Sequence, residues 1–184
     1  YNLDKKLVDA FMNSMRLDLH KSKYLTLEEF NNYIYGSADV VGLMCLRVFV
    51  KGDDIKYNEL KESTMALGSA FQKVNFLRDL KADFDDLNRS YFPKTDLNNL
   101  DETSKQQIIA DIESDFEKGL AGIKKLPIEA KFGVFMAYRY YHKLLKKLKN
   151  TPAPQIKSTR IRVSDPQKVE LLMRSYVKYQ LNLI

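Results

Sequence analysis

Asp79 and Asp83 stand four residues apart in NFLRDLKADFDD (residues 75–86), a stretch that also holds Asp85 and Asp86. On a helix this spacing puts two carboxylates on one face, about one turn apart, where like charges destabilise an isolated helix. Asn75 precedes Asp79 by the same step, so Asn75, Asp79 and Asp83 form a ladder of oxygen donors. A divalent cation between the acids removes their repulsion. Oxygen-only ligands suit Mg²⁺, or Mn²⁺ in its place, and Mg²⁺ keeps several waters and is usually shared with substrate phosphates. Arg78, inside the ladder, is suited to a diphosphate oxygen. Gln72 lies one turn upstream, and Gly68, Ser69 and Ala70 keep the neighbouring turn small. The competing reading is an acidic face that meets only water. A second pair at the same spacing, Asp111 and Asp115, is read in that plain way as an exposed face. Its helix has a separate apolar stripe and no flanking arginine or amide ladder.

The elements that must position these groups are helices. Residues 4–19 carry Leu7, Val8, Phe11, Met15 and Leu19 at helical spacing. Thr26 and Glu29 have the form of a capping box and open a second helix running toward residue 50. Gly36, Ser37 and Ala38 lie in its middle, which means either a kink or close packing, or room for a ligand. KGDD (residues 51–54) is a turn, and a long third helix is expected from about 55 to about 85. Residues 88–99 read as a loop, roughly 102–120 as a fourth helix, and about 128–149 as a fifth, starting after Pro127. A Pro-rich irregular stretch leads to a last helix near Pro166 with Val169, Leu172, Met173, Tyr176 and Leu183 along it. No segment reads as a strand.

The chain has 184 residues, with seven Gly and five Pro, so it is breaker-poor and long enough for one sizeable core. A single helical domain over residues 1–184 is expected. The net charge of +6 is uneven, because residues 124–178 hold 14 Lys and Arg against three acids. Such a half favours an anionic partner. The basic residues follow no nucleic-acid reading pattern, and an aspartate cluster repels phosphates in the absence of metal, so nucleic acid is not an expected partner. Cys45 is the only cysteine and lies in an apolar run, which predicts a buried thiol and no internal disulfide. His20 and His142 have no paired ligand spacing and read as surface or interfacial residues. No apolar run reaches 18 residues, so no membrane span is expected. A cytoplasmic chain is expected, with the Lys-rich segment 143–149 available to the inner face of a membrane.

The order of residues in GSAFQKVNFLRDLKADFDDLNRSYFP (residues 68–93) resembles the second aspartate-rich signature of the squalene and phytoene synthase family. The matching positions are Gln72, Asn75, Arg78, Asp79, Asp83 and Tyr91-Phe92-Pro93. Three further stretches match in the family's order: MRLDL around Asp18, YIYGSADVVGLM with Tyr33, Val41 and Gly42, and RYYHKLL followed by TRIRV with Tyr141 and Arg160. Among the branches, bacterial phytoene synthases are the most similar.

The resemblance implies an isoprenoid-synthase-type all-α bundle around a deep apolar cavity. It implies Mg²⁺ held by Asn75, Asp79 and Asp83, and a prenyl diphosphate bound by Asp18, Tyr33, Val41, Gly42, Gln72, Asn75 and Arg160. Asp79, Asp83, Arg78 and Tyr141 would serve the chemistry, a head-to-head condensation of two geranylgeranyl diphosphates to phytoene through a cyclopropylcarbinyl diphosphate. Squalene or dehydrosqualene synthesis from the C15 diphosphate is the near alternative, and a non-catalytic helical relative the remote one. The family's first aspartate-rich signature normally precedes the MRLDL element, and this sequence starts only just before it. The 184 residues are therefore expected to be the C-terminal portion of a larger synthase domain, the alternative being a degenerate homologue, and in either case inactive alone, with apolar surface left open.

Overall fold

The structure, a computed structural model, describes residues 1, 3–80, 91–93, 100–181 and 183. Among these, every regular element is helical. In chain order they are α1 (Lys5–Leu17), α2 (Leu27–Ile34), a π-helical turn (Tyr35–Asp39), α3 (Val40–Phe49), α4 (Asp54–Arg78), α5 (Glu102–Lys125), α6 (Ile128–Asn150), α7 (Ala153–Ser158) and α8 (Asp165–Gln180).

Local chemistry starts most of these helices. The carboxylate of Asp4 accepts from the Lys6 amide at 2.9 Å, and that of Asp53 from the amides of Ile55 and Lys56 at 2.9 and 3.0 Å. Thr26 Oγ1 accepts from the Glu29 amide at 3.1 Å. The Glu29 carboxylate reaches back to Leu25 at 2.8 Å, one residue beyond the usual capping-box partner. The KGDD turn is made by Lys51 and Gly52, both at positive φ (54° and 84°). Asp101 caps α5 by accepting from the Ser104 amide at 2.7 Å.

Four expectations need correction. The helix expected to run unbroken toward residue 50 is interrupted by the π turn at Tyr35–Asp39, where the small residues sit. Close packing accounts for this: a Cβ on Gly36 would lie 1.9 Å from Ser14 Oγ and 2.9 Å from the Ala10 carbonyl of α1. Helix α4 ends at Arg78, short of residue 85, with Asp79 as its C-cap at φ −94°, ψ 10°. Helix α5 runs on to Lys125 through Gly119 and Gly122, because those glycines let it touch Leu67 and Ser63 of α4. The Pro-rich stretch contains α7, entered at Pro152.

The 25-residue α4 is the central helix, flanked by α3, the π turn, α5 and α6. Its buried Leu60, Leu67, Val74 and Leu77 meet Ile109, Ile112, Phe116 and Ile123 of α5 and Leu144, Leu145 and Leu148 of α6 in one core. Each such side chain contributes about 1.5–3 kcal/mol by leaving water. Lys105, 2% exposed, reaches under the end of α6 to the carbonyls of Lys149 and Thr151 at 3.3 and 2.7 Å. It satisfies acceptors that the helix end leaves open.

Candidate active site

The α4 C-terminus is the electrostatic focus of the molecule. A helix ends in unsatisfied carbonyls and a partial negative charge, so a carboxylate there is unfavourable without a cation. Asp79 stands at that position and receives two guanidinium groups. Arg78 binds it through both Nε, at 3.0 Å, and Nη2, and Arg160 Nε lies 2.8 Å from Asp79 Oδ1. Hydrogen bonding to Asp79 holds the Arg78 guanidinium above its ordinary range. One turn back, Asn75 Oδ1 is buried and has no hydrogen-bond partner among the described residues. An orphaned buried oxygen is costly and needs an occupant. An oxygen donor at Asn75 beside the Asp79 carboxylate fits a hard cation such as Mg²⁺. Asp83, the third member of the ladder, lies outside the described residues. Among the described residues no three carboxylate, imidazole or thiolate groups converge on one point.

Below this focus runs an apolar cavity of about 550 Å³ between α3, α4, α5, α6 and the π turn. Gln72 and Ser37 give it a polar upper end, joined by a weak hydrogen bond at 3.4 Å. Val41 and Gly42 lie on its wall. Five of the seven glycines line it (Gly42, Gly68, Gly119, Gly122 and Gly133), and they fall into two kinds. A Cβ on Gly68 or Gly119 would meet a neighbouring helix at 3.0–3.1 Å, so these glycines pull the walls together. A Cβ on Gly133 would meet nothing within 4 Å, so Gly133 leaves space. Phe71 borders the cavity and stacks on Tyr141, with ring centroids 4.2 Å apart. Tyr141 is close enough to raise the Arg78 pKa, in a smaller measure than Asp79. An aromatic pair thus stands between the cavity and the charged end.

Of the residues singled out from sequence, Asn75, Arg78, Asp79, Arg160 and Tyr141 gather around the end of α4, and Gln72, Val41 and Gly42 line the cavity. Asp18 and Tyr33 are not among the cavity lining. The Tyr33 hydroxyl donates to Asp18 Oδ1 at 2.8 Å, and its ring is packed with Tyr24, Phe76 and Tyr91. Burial, and then the Asp18 bond, push its phenol above the ordinary range.

Two sequence readings are overturned nearby. Cys45 is exposed at the cavity rim. Asp111 and Asp115 are not a plain solvated face: Asp111, its side chain 62% exposed, and Asp115, only 14% exposed, both clamp the buried Lys73 of α4, at 2.6 and 2.7 Å. Burial alone would lower the Lys73 ammonium, but the two carboxylates hold it above its ordinary range. The same polar layer contains Asp39, at the end of the π turn and 6% exposed, which accepts from Ser69 Oγ at 2.9 Å. Burial pushes its carboxyl up to about 6. No spacing pattern marked Asp39 or Lys73, whose partners lie 30 to 42 residues away.

The squalene/phytoene synthase family model matches residues 1–167. The 15-cis-phytoene synthase of Enterobacter agglomerans is 26% identical over 172 residues, covering 85% of this chain and 56% of that protein. The 15-cis-phytoene synthase of Synechocystis sp. is 29% identical over 171 residues, covering 79% of this chain and 50% of that protein. The chain therefore spans about half the length of these relatives. Among solved structures, YisP from Bacillus subtilis superposes with a TM-score of 0.74 at 20% identity, covering 93% of this chain and 72% of that one. The squalene synthase HpnC from Alicyclobacillus acidocaldarius superposes with a TM-score of 0.60 at 19% identity, covering 95% and 62%. These likenesses show the isoprenoid synthase fold.

Proposed function

Because the chain belongs to the squalene/phytoene synthase family, we propose that it forms part of a Mg²⁺-dependent prenyl transferase joining two geranylgeranyl diphosphates head to head to give phytoene. The observation that carries this reading is the meeting of an anion-handling helix end with an apolar cavity. A prenyl diphosphate has the same two halves. Its tail would lie along the cavity past Gly68 and Gly133, and its diphosphate would sit above Gln72, by Asn75 and Asp79.

In this account Asn75 and Asp79 would hold Mg²⁺ together with Asp83. Mg²⁺, when bound, supplies the positive charge that makes diphosphate a good leaving group. Arg160 is then released from Asp79 and, with Arg78, turns to the diphosphate oxygens, where forked guanidiniums fit and stabilise departing charge. Phe71 and Tyr141 present ring faces to the allylic cation, and the apolar walls keep water from quenching it. The second substrate's double bond attacks that cation, and loss of a proton to the departed diphosphate closes a cyclopropylcarbinyl diphosphate; its ionisation releases the second diphosphate, and rearrangement with loss of another proton gives the product.

The test is turnover by the intact protein with the C20 and C15 diphosphates, with Mg²⁺ and with chelator. The C20 substrate should give a C40 hydrocarbon only with the metal. Asp79→Ala should lose about 10²-fold or more in kcat. Preference for the C15 substrate would move the assignment to squalene or dehydrosqualene synthesis, and an inert intact protein would argue for a binding role.

A further inference from the structure

We propose a second phosphate-binding site, separate from the Asn75–Asp79 ladder and independent of Mg²⁺, in the basic pocket between the end of α6 and the segment leading into α8. The pocket has a volume of about 510 Å³ and is lined by Lys143, Lys146, Lys147, Arg160 and Arg162, with no carboxylate among the described residues that line it.

Several cations elsewhere in the chain are neutralised in pairs. Arg47 meets Asp54, Lys73 meets Asp111 and Asp115, Lys125 meets Glu59, and Lys149 meets Glu113. Among the described residues no carboxylate pairs with Lys143, Lys146, Lys147 or Arg162. Several unpaired cations on one concave surface repel one another, and a polyanion relieves that repulsion. The surface is also held in shape, since Lys147 Nζ donates to the Arg162 carbonyl at 2.9 Å and so ties α6 to the opposite wall. Asn150, Thr151 and Gln167 add polar side chains around the cations. Among the described residues no aromatic ring lines the pocket, so they offer no platform for a nucleobase. Forked and point cations converging at this scale suit a diphosphate or a closely similar phosphate group.

Arg160 joins this pocket to the site above, because it lines the pocket while its Nε contacts Asp79. Resting on the reading under Proposed function, a diphosphate released beside Asp79 would find the basic pocket across one side chain. An anionic phospholipid headgroup presents the same phosphate chemistry.

The intact protein in chelator should bind inorganic diphosphate in a calorimetric titration, and added salt should weaken the binding. Neutralising Lys143, Lys146 and Arg162 together (each →Gln) should weaken it at least about tenfold. A charge-matched control (Lys5, Lys61 and Lys124, each →Gln) should leave it unchanged. Circular dichroism melting of both variants checks that the fold is kept. In a parallel arm, vesicles of phosphatidylglycerol in phosphatidylcholine replace free diphosphate. Vesicle binding lost only in the pocket variant, with free diphosphate inert, would identify the headgroup as the source. The proposal is overturned if neither probe binds without metal, or if the control variant loses as much as the pocket variant. Asp79→Ala separates the two readings: it should abolish Mg²⁺-dependent turnover and leave metal-free diphosphate binding intact. If turnover depends on Asp79 but nothing binds in chelator, the pocket fails alone.

Discussion

Asp79 is held by Arg78 and Arg160 at a helix end whose own dipole opposes its charge. Asp39 is a different case, a carboxyl buried beside Ser69 and pushed up to about 6 by its burial. Its electrostatic neighbours are Asp115, which adds to that rise, and Lys73, which opposes it. The sign of its effect follows from linkage. Between about pH 4 and pH 6 the folded chain keeps a proton on Asp39 that the unfolded chain has released. Unfolding free energy therefore falls as pH rises through that window, and the loss is complete above pH 6. Asp39→Asn keeps the Ser69 acceptor and stays neutral, so it should flatten the slope between pH 4 and 6. It should also raise stability at pH 7.5 by about 1–3 kcal/mol. Urea titrations across pH measure both, and an unchanged slope would show that Asp39 ionises freely in the fold.

Packing between helices sets the cavity. Gly36 presses against α1, and Gly36→Ala would put a methyl group into Ser14 and the Ala10 carbonyl. Overpacking at such a site should cost about 1–3 kcal/mol in urea unfolding. Gly133 behaves oppositely, because it faces open space, so Gly133→Phe should leave stability nearly unchanged and shorten the cavity. Turnover of the C20 diphosphate should fall at least about tenfold relative to the C15 compound, read by comparing kcat/KM for the two. Equal losses on both substrates would exclude Gly133 as a length gauge. The elements were legible in sequence where local chemistry marks them, as at Pro127 before α6 and Thr26 before α2. They were less legible where tertiary contact overrides local signal. A fourth helix ending near residue 120 stops short of Lys125, because Gly119 and Gly122 let α5 continue against the facing Leu67 and Ser63. The stripe on α8 shows the opposite failure. Val169, Met173 and Tyr176 have helical spacing, yet each is about half exposed or more, and Leu171 with Ser175 makes the buried edge.

At the scale of the whole molecule, charge and apolarity are segregated. The carboxylate of Asp79, two arginines and the orphaned Asn75 oxygen lie at one end of α4, and the apolar space runs from there toward its start. Among the described residues no helix is long and apolar enough to cross a membrane. The resemblance in sequence named most of this site, yet it was silent on the Lys73 clamp and on the basic pocket. Both depend on residues brought together by the fold: the Asp111/Asp115 spacing and the Lys-rich segment 143–149 stand out in sequence, but Lys73 as their clamp partner and Arg160 and Arg162 as the facing wall do not. The proposed function requires that α4 end at a diphosphate. A crystal structure of the intact protein with Mg²⁺ and a non-hydrolysable geranylgeranyl diphosphate analogue tests this most directly. The tail should lie between Gly68 and Gly133, with metal on Asn75 and Asp79, and Arg160 should have moved from the Asp79 carboxylate to the diphosphate. An analogue bound elsewhere, with Arg160 still paired to Asp79 and the cavity empty, would contradict the proposed function.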